Sequence, residues 1–260
     1  MNLVIEAACG CNRGKIRSNN EDNVYFFGRC LPLIHDGTKK ISGVESGIQN
    51  GLFLAVFDGM GGESCGEEAS FAAAQELQLV GKKLIDYFFP EREFLTRTML
   101  RLNDAVVKRA HELCVERMGS TLVALYFSAG NVYVCNLGDS RAYRLRYGEF
   151  MQLSQDHVYR STNGRKKSPL TQYLGIDPDY MTLEPFICKG SLIEEDQYLL
   201  CSDGLTDMLS NMEIMTIMLN SKDSRSCASQ LIDAALKRGG QDNVTVIVCK
   251  IKYAEERIYE

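Results

Sequence analysis

The chain has 260 residues, of which 45% are hydrophobic and 24% are charged, a composition typical of a globular protein. Its formal net charge of −5 gives no basic surface for nucleic acid, so we expect no such partner. No apolar run approaches the roughly 18 residues of a membrane span, and the first residues lack the basic and apolar regions of a secretory signal. We therefore expect a cytoplasmic protein without a membrane partner.

Ten cysteines could suggest a disulfide framework. Most of them, however, fall inside apolar strand patterns, as Cys135, Cys201 and Cys249 do, where a free thiol behaves as a small hydrophobic side chain. The sequence has no Cys-x-x-Cys pair. These positions predict free thiols in a reducing compartment and give no support for a zinc site.

In chain order, the first half combines short strands with two long helical patterns. Apolar runs predict strands over 3–9, 23–28 and 52–57. Residues 35–51 are rich in Gly, Ser, Lys and Asn, and this composition predicts a surface turn or the end of a hairpin. Apolar residues then recur every three or four positions over 69–88 and, after Pro90, over 95–113. This spacing predicts two amphipathic helices, because it places the apolar side chains on one helix face.

The second half changes to short strands separated by brief turns. The patterns predict strands over 120–128, 131–137, 141–146, 182–188, 198–202 and 244–249. Short helices are predicted over 213–219 and 227–237. Because the first three of these strands are so close in sequence, we expect hairpins and antiparallel pairing among them. The polar and irregular segment at about 154–181 predicts a short flap.

The order of these elements favours one fold class. Helices occur in pairs between groups of antiparallel strands, which disfavours a parallel doubly wound sheet. We therefore predict an α+β fold, with a central β-sandwich of two antiparallel sheets flanked on both faces by helix pairs in α-β-β-α layers. No internal repeat or linker composition interrupts the sequence, so residues 1–260 are predicted to form a single domain.

Three predicted strands carry an aspartate at one end. Asp58 and Asp203 each follow a strand, and Asp242 precedes the last one. If the last strand lies antiparallel to the other two, the three carboxylates meet at one edge of a sheet. Carboxylates placed so close repel one another unless a cation lies between them. Because hard oxygen ligands suit magnesium or manganese, the pattern predicts a divalent metal site.

Six short motifs, read together, resemble those of the metal-dependent serine/threonine protein phosphatases, the family of phosphatase 2C, and especially its compact bacterial members. The resemblance covers nearly the whole chain in family order, and it implies the α-β-β-α sandwich predicted above. The motifs are RSNNEDN at 17–23, DGMGG at 58–62, GST at 119–121, NLGDSR at 136–141, SDGL at 202–205 and QDN at 241–243.

The resemblance implies hydrolysis of phosphoserine and phosphothreonine in proteins by direct attack of water. A phosphomonoester is a dianion, and water is a weak nucleophile. A pair of divalent cations neutralises the charge of the phosphomonoester and lowers the pKa of a bound water, which makes the water a better nucleophile. By resemblance, Asp58 bridges two Mg²⁺ or Mn²⁺ ions and the Gly59 carbonyl binds one of them. Asp203 and Asp242 complete the coordination of the other ion.

The remaining site residues follow from the same resemblance. Arg17 is expected to bind the substrate phosphate, because a guanidinium offers two parallel donors to two phosphoryl oxygens. Glu21 and Asp22 are expected to act through metal-bound waters, with direct ligation left open. Asp139 is expected to bind a third, weaker metal ion, which it shares with Asp203.

Two departures from relatives stand out. Met60 occupies the position where animal relatives carry a histidine proposed as the general acid, and methionine cannot donate a proton. We hypothesise that water at the metal centre protonates the leaving serine alkoxide instead. The flap is shorter than in many relatives, and Arg165, Lys166 and Lys167 are expected to form a basic lip there. His157 lies at the start of the flap. From the sequence, a location of its side chain near the cleft and one away from the cleft are equal alternatives.

The expected partners are phosphorylated proteins, namely a serine/threonine kinase and its substrates, and we expect a monomer.

Taken singly, Asp58 could be a turn residue, Asp203 a helix N-cap, Asp139 a turn residue and Arg17 a surface arginine. The alternative function is a non-catalytic relative that binds phosphoproteins. The loss of a metal carboxylate would mark such a relative, and the sequence retains all of them.

Overall fold

The computed structural model describes residues 3–48, 51–60, 65–82, 89–128, 130–159 and 168–254. Within these ranges the strands are β1 (Leu3–Asn12), β2 (Asp22–Phe26), β3 (Ser42–Gly47), β4 (Leu52–Met60), β5 (Gly119–Ser120), β6 (Leu122–Ser128), β7 (Asn131–Leu137), β8 (Arg141–Arg146), β9 (Glu149–Gln152), β10 (Phe186–Ser191), β11 (Gln197–Cys201) and β12 (Val244–Tyr253). The helices are α1 (Gly66–Lys82), α2 (Glu91–Leu113), α3 (Asp203–Thr206), α4 (Asn211–Asn220) and α5 (Ser224–Lys237).

The strands form two antiparallel sheets. The first sheet has the order β3-β1-β12-β11-β8-β9, and the second has the order β10-β7-β6-β4-β2, with the short β5 paired to β4. Every pairing between named strands is antiparallel. The predicted α+β sandwich is therefore confirmed.

Three buried apolar layers hold the sandwich and its helices together. The middle layer lies between the sheets and contains Leu54 and Val56 of β4, whereas Phe53 and Phe57 of the same strand pack against α1 and α2. The third layer joins the first sheet to α4 and α5. Successive side chains of β4 thus enter different layers, and all of them are apolar because both faces of the sheet are covered. This explains the uninterrupted apolar run over 52–57.

The longest pairing joins the first and last strands of the described chain. In β1 and β12, Leu3 lies opposite Tyr253 and Asn12 lies opposite Val244. In the second sheet, Asp22 at the start of β2 lies opposite Asp58 near the end of β4. The pairing of β1 with β12 and the pairing of β2 with β4 place polar motif residues at the same end of the sandwich.

Several strand predictions need correction. The segment 35–51 was expected to be a surface turn or the end of a hairpin, but it contains β3, an edge strand of six residues with no buried side chain. Its polar sequence hides the pattern of a strand. Strand β9 was not predicted, and β10 begins at Phe186 instead of 182. The prediction of a hairpin between β7 and β8 is wrong, because these strands lie in different sheets. Gly138, with φ +98°, allows the sharp turn at which the chain crosses between them.

The helices follow the sequence patterns closely. Pro90 is the N-cap residue of α2, so it separates the two long helices as predicted. Leu84 and Phe88, which were expected to extend the first helix, lie outside the described residues. Helices α4 and α5 each begin with a capping box, at Ser210 and Asp223.

All ten cysteines lie within the described residues and are free thiols, which confirms that no disulfide framework is present. Burial raises the pKa of several of these thiols, including Cys11, whose pKa is about 12. Such thiols stay protonated and unreactive at neutral pH. In the part of the chain that the structure describes, no helix combines the length and the apolar character needed to cross a bilayer.

Candidate active site

The acidic motif residues meet at one end of the sandwich. Asp58 lies near the end of β4 in the second sheet, whereas Asp203 and Asp242 flank β11 and β12 in the first sheet. The expectation that all three lie at one edge of a single sheet is therefore wrong. They converge because strands of both stacked sheets end on the same side of the molecule.

A cleft of about 310 Å³ opens at this end. Its lining includes Met60, Thr121 and the flap residues 168–170. It also includes seven of the eight residues predicted from the sequence: Arg17, Glu21, Asp58, Gly59, Asp139, Asp203 and Asp242. The eighth, Asp22, is buried beneath the cleft. The predicted basic lip of Arg165, Lys166 and Lys167 lies outside the described residues.

The carboxylates of the site strongly perturb one another. The pKa of Asp58 is raised well above its usual range, first by desolvation and then by the negative charges of Asp203, Asp22, Asp139 and Asp242. Each of these groups makes ionisation of Asp58 more costly. The pKa shift therefore shows that the four aspartates are close enough to Asp58 to act on it.

Asp22 lies below this group and is 1% exposed. Its Oδ2 accepts hydrogen bonds from the hydroxyls of Ser202 at 2.8 Å and Thr245 at 2.6 Å. Burial nevertheless raises its pKa to about 7, with further increases from Asp203 and Asp242. Its Oδ1 is buried and has no hydrogen-bond partner among the residues that the structure describes.

Two of these neighbours were not identified from the sequence. Ser202 directly precedes Asp203, and Thr245 is the one polar residue in the apolar run 244–249. Both are fully buried. A hydroxyl inside an otherwise apolar strand is the signal that could have identified Thr245, because such a group needs a buried partner.

Arg17 and Asp242 form an ion pair at the mouth of the cleft. Arg17 Nη2 donates to Asp242 Oδ2 at 2.7 Å. Asp242 is the main cause of the raised pKa of Arg17, with smaller contributions from Glu21 and Asp58. Desolvation raises the pKa of Glu21, and the hydrogen bond from Asn19 and the charge of Arg17 oppose this shift. A cationic side chain thus already lies among the carboxylates.

Hydroxyl groups hold the end of β4 in place. The backbone N–H of Asp58 donates to Thr121 Oγ1 at 3.1 Å, and the Thr121 N–H donates back to the Asp58 carbonyl at 2.8 Å. The Thr121 and Ser140 hydroxyls are 2.7 Å apart, and Ser120 Oγ donates to the Asp58 carbonyl at 3.2 Å. Ser120 and Thr121 thus hold the end of the strand that carries Asp58.

Gly59 lies where two chain segments pass very close together. Its N–H donates to the Glu21 carbonyl at 3.0 Å, and a Cβ at this position would collide with the carbonyl of Gly66. Only glycine fits such a close backbone approach. Gly61 and Gly62, which follow in the same motif, lie outside the described residues.

Asn243 fixes the loop that carries Arg17. Its Nδ2 donates to the carbonyls of Arg13 at 2.8 Å and Asn19 at 3.0 Å, and its Oδ1 accepts from the Glu21 N–H at 2.7 Å. Its contacts across more than 220 residues of sequence could not be read from its neighbours in the chain.

His157 supports the turn before Asp139. The Gly138 N–H donates to His157 Nδ1 at 3.2 Å, and the His157 N–H donates to the Gly138 carbonyl at 2.9 Å. Burial lowers the pKa of this histidine, which keeps Nδ1 available as an acceptor. His157 is not among the residues that line the described cleft.

The donor chemistry of the cleft fits divalent cations. Among the residues that the structure describes, its ionisable groups are carboxylates with a single arginine. Oxygen donors of this kind are the ligands of magnesium and manganese. The raised pKa of Asp58 and the unpartnered Oδ1 of Asp22 both indicate a region where positive charge would be stabilised. Among the described residues, no three Asp, Glu, His or Cys side chains form a complete metal-binding cluster, so the fit rests on charge and donor type.

Comparison with known proteins shows the family of the chain. The family model described as protein phosphatase 2C matches residues 44–238, and the chain belongs to that family. The serine/threonine phosphatase stp of Listeria monocytogenes is 30% identical over 253 residues, which cover 91% of this chain and 92% of that protein. The serine/threonine protein phosphatase PstP of Mycobacterium tuberculosis is also 30% identical, over 96% of this chain. The chain spans only 45% of the length of PstP.

Solved structures show the same architecture. The M. tuberculosis phosphatase PstP/Ppp superposes with a TM-score of 0.77 at 29% identity, covering 96% of this chain and all of that one. A structure of the catalytic domain of PstP in complex with two manganese ions gives a TM-score of 0.78 at 30% identity, again over 96% and 100% of the chains.

Proposed function

We propose that this chain hydrolyses phosphoserine and phosphothreonine in proteins, with two Mg²⁺ or Mn²⁺ ions and a third, weaker one. The observation that carries the proposal is the convergence of aspartates from separate segments beside one arginine in a single cleft. Manganese in the PstP catalytic domain and the names of the relatives support the same activity. Residues 1–260 act in this proposal as one catalytic domain.

The metal roles follow from the resemblance of the motifs to the phosphatase 2C family, and the carboxylates of the cleft support them. Asp58 would bind both of two ions, the Gly59 carbonyl would bind one of them, and Asp203 and Asp242 would bind the other. Glu21 and Asp22 would support the ions through water, and Asp139 would contribute with Asp203 to the third site. Two divalent cations supply positive charge to the phosphoryl group and lower the pKa of water.

Arg17 binds and orients the phosphate. Its side chain lies at the mouth of the cleft and is 46% exposed, so substrate reaches it directly. A guanidinium directed at two phosphoryl oxygens fixes the orientation of the phosphorus relative to the carboxylates. Met60 lines the cleft but has no proton to give, so water in the cleft protonates the leaving alkoxide.

The partners of this activity are phosphoproteins, among them a serine/threonine kinase whose phosphorylation the enzyme reverses. The printed names of the relatives, serine/threonine phosphatases of bacteria, support this choice of substrate class. The expected monomeric state and cytoplasmic location stay predictions.

The test is hydrolysis of p-nitrophenyl phosphate and of a phosphothreonine peptide, each with Mn²⁺ or with EDTA. We expect Mn²⁺-dependent turnover by the wild type and a loss of at least about 10³-fold in Asp58→Asn, because charge stabilisation of the transition state is removed. Asp104→Asn, an equal charge change at an exposed position of α2, is the control and should match the wild type. Equal rates in all samples would refute the proposal. Phosphopeptide binding without turnover would favour the non-catalytic alternative.

A further inference from the structure

Strand β3 is the terminal strand of the first sheet. Among the described residues it pairs only with β1, and its other edge has no strand partner. The strand is largely exposed and contains neither proline nor lysine, the residues that commonly protect a sheet edge. Its outer backbone groups are therefore available to a further strand.

A second cavity, of about 660 Å³, lies beside this edge. It is larger than the cleft and falls in the volume range of ligand sites, roughly 300–1,000 Å³. Residues of β1, β2 and β3 line it together with parts of the segment 27–41. Its apolar lining comes mainly from Val24, Phe26, Leu31 and Val44. A side chain from a strand added to β3 could enter this space.

The rim of the cavity is basic although the whole chain is acidic. Arg29 and Arg225 line the cavity and are exposed, and the Arg225 guanidinium packs against the backbone of Gly43. Exposed Lys39 and Lys40 lie just before β3 in the sequence. Among the described residues, none of these four cations takes part in an ion pair.

Acidic groups near the rim are fewer. Glu45 is exposed on β3, and Asp223 caps α5 beside Arg225. Glu6, on the neighbouring strand β1, pairs with Lys252. The balance of charge at this edge therefore favours an anionic partner.

We propose that β3 and the adjacent cavity form a docking site for an acidic segment of a partner protein. The segment binds in extended conformation, adds a strand to β3 and places an apolar side chain in the cavity, while its carboxylates face Arg29 and Arg225. Backbone pairing supplies affinity, and the cavity and the basic rim supply selectivity. A free amphipathic anion would use the cavity and the arginines but not the strand edge, which is why a peptide is the better occupant.

The test uses the full chain and fluorescence anisotropy with a labelled peptide in which glutamate and valine alternate. A second peptide carries lysine in place of glutamate, and a third carries N-methyl groups on alternate backbone nitrogens, which block strand pairing. We expect saturable binding of the first peptide only. Binding should weaken about tenfold or more in the variant Arg29→Glu/Arg225→Glu, because like charges then face each other.

Lys108→Glu is the matched control, since Lys108 is 79% exposed on α2, and it should bind the peptide as the wild type does. The rate of p-nitrophenyl phosphate hydrolysis should be unchanged in all of these variants. If the double variant unfolds, the single variants Arg29→Gln and Arg225→Gln provide milder changes of charge. Absence of saturable binding at millimolar peptide, equal affinity for the double variant, or equal binding of the N-methylated peptide would each overturn the proposal. The anisotropy signal requires no turnover, so its outcome is independent of the proposed catalytic function.

Discussion

Arg17 and Asp242 are 225 residues apart in the sequence, yet the guanidinium of one donates to the carboxylate of the other at 2.7 Å. The proposed phosphate-binding residue is thus paired with a proposed metal ligand. The Arg17 guanidinium and a metal cation would compete for the same lone pairs of the Asp242 carboxylate. Phosphate binding and metal binding are therefore expected to be coupled through this pair.

Removing the arginine tests this coupling. In Arg17→Gln we expect kcat/KM for a phosphopeptide to fall about 10–100-fold, the effect of losing a charge-assisted hydrogen-bond pair. The same change should tighten Mn²⁺ binding measured by calorimetry, because Asp242 loses a competing cation. Lys108→Gln removes an equal charge on α2 and should alter neither quantity. Weaker or unchanged Mn²⁺ binding in Arg17→Gln would show that the ion pair does not compete with metal.

The loop that carries Arg17 depends on Asn243. In Asn243→Ala three hydrogen bonds to this loop are lost, so KM for a phosphopeptide should rise more than kcat falls. The free energy of unfolding should drop by about 1–3 kcal/mol, because buried backbone groups lose their partners. Asn211→Ala, which removes one hydrogen bond to Tyr143, should leave KM unchanged. A fall in kcat alone would indicate that Asn243 acts on the metal ligands and not on the loop.

Stability without metal should depend on Asp22. The folded-state pKa of Asp22 is raised to about 7, above the value near 4 of an ordinary carboxyl group. Between these values the folded protein keeps a proton that the unfolded chain has released. The free energy of unfolding in EDTA should therefore fall as the pH rises through this window, by up to about 1.4 kcal/mol per pH unit for each such proton.

Urea unfolding of the wild type and Asp22→Asn across this window measures the effect. The variant should show a flatter dependence on pH, and Mn²⁺ should reduce the loss of stability in the wild type because cations bind the deprotonated carboxylates. Parallel curves for the two proteins would place the proton elsewhere in the site. Asp58, whose pKa is also raised, would then be the next candidate.

The leaving group should determine how activity varies with pH. Met60 lines the cleft, and the described lining contains no histidine. A phenolate leaves without a proton, whereas a serine alkoxide requires one. We therefore expect kcat for p-nitrophenyl phosphate to vary less with pH than kcat for a phosphopeptide. Identical profiles for the two substrates would argue against proton donation by water.

The sequence shows which residues meet in the cleft because most of them lie near strand ends. Asp58, Asp203 and Asp242 each adjoin an apolar run, and such runs in a sandwich end together at the surface. The sequence does not predict the hydrogen bonds that hold these residues in place. The hydroxyls of Ser202 and Thr245 and the amide of Asn243 act across the fold, where no local pattern records their partners.

The errors in the fold have a similar origin. Alternation of apolar and polar residues reveals strands with a buried face, but β3 is an edge strand with little apolar surface. Close spacing of β7 and β8 suggests a hairpin, but Gly138 turns the chain into the other sheet. Local sequence determines that a turn occurs, and packing of the two sheets determines where the turn leads.

The pairing of β1 with β12 also has a practical consequence for handling the protein. Leu3 and Tyr253 lie side by side at one end of these ten-residue strands, while Asn12 and Val244 lie at the end that carries the cleft. At about 3.3 Å per residue, the two ends of the strands are about 30 Å apart. A fluorophore, affinity handle or tether attached at Leu3 or Tyr253 would therefore lie well away from the cleft.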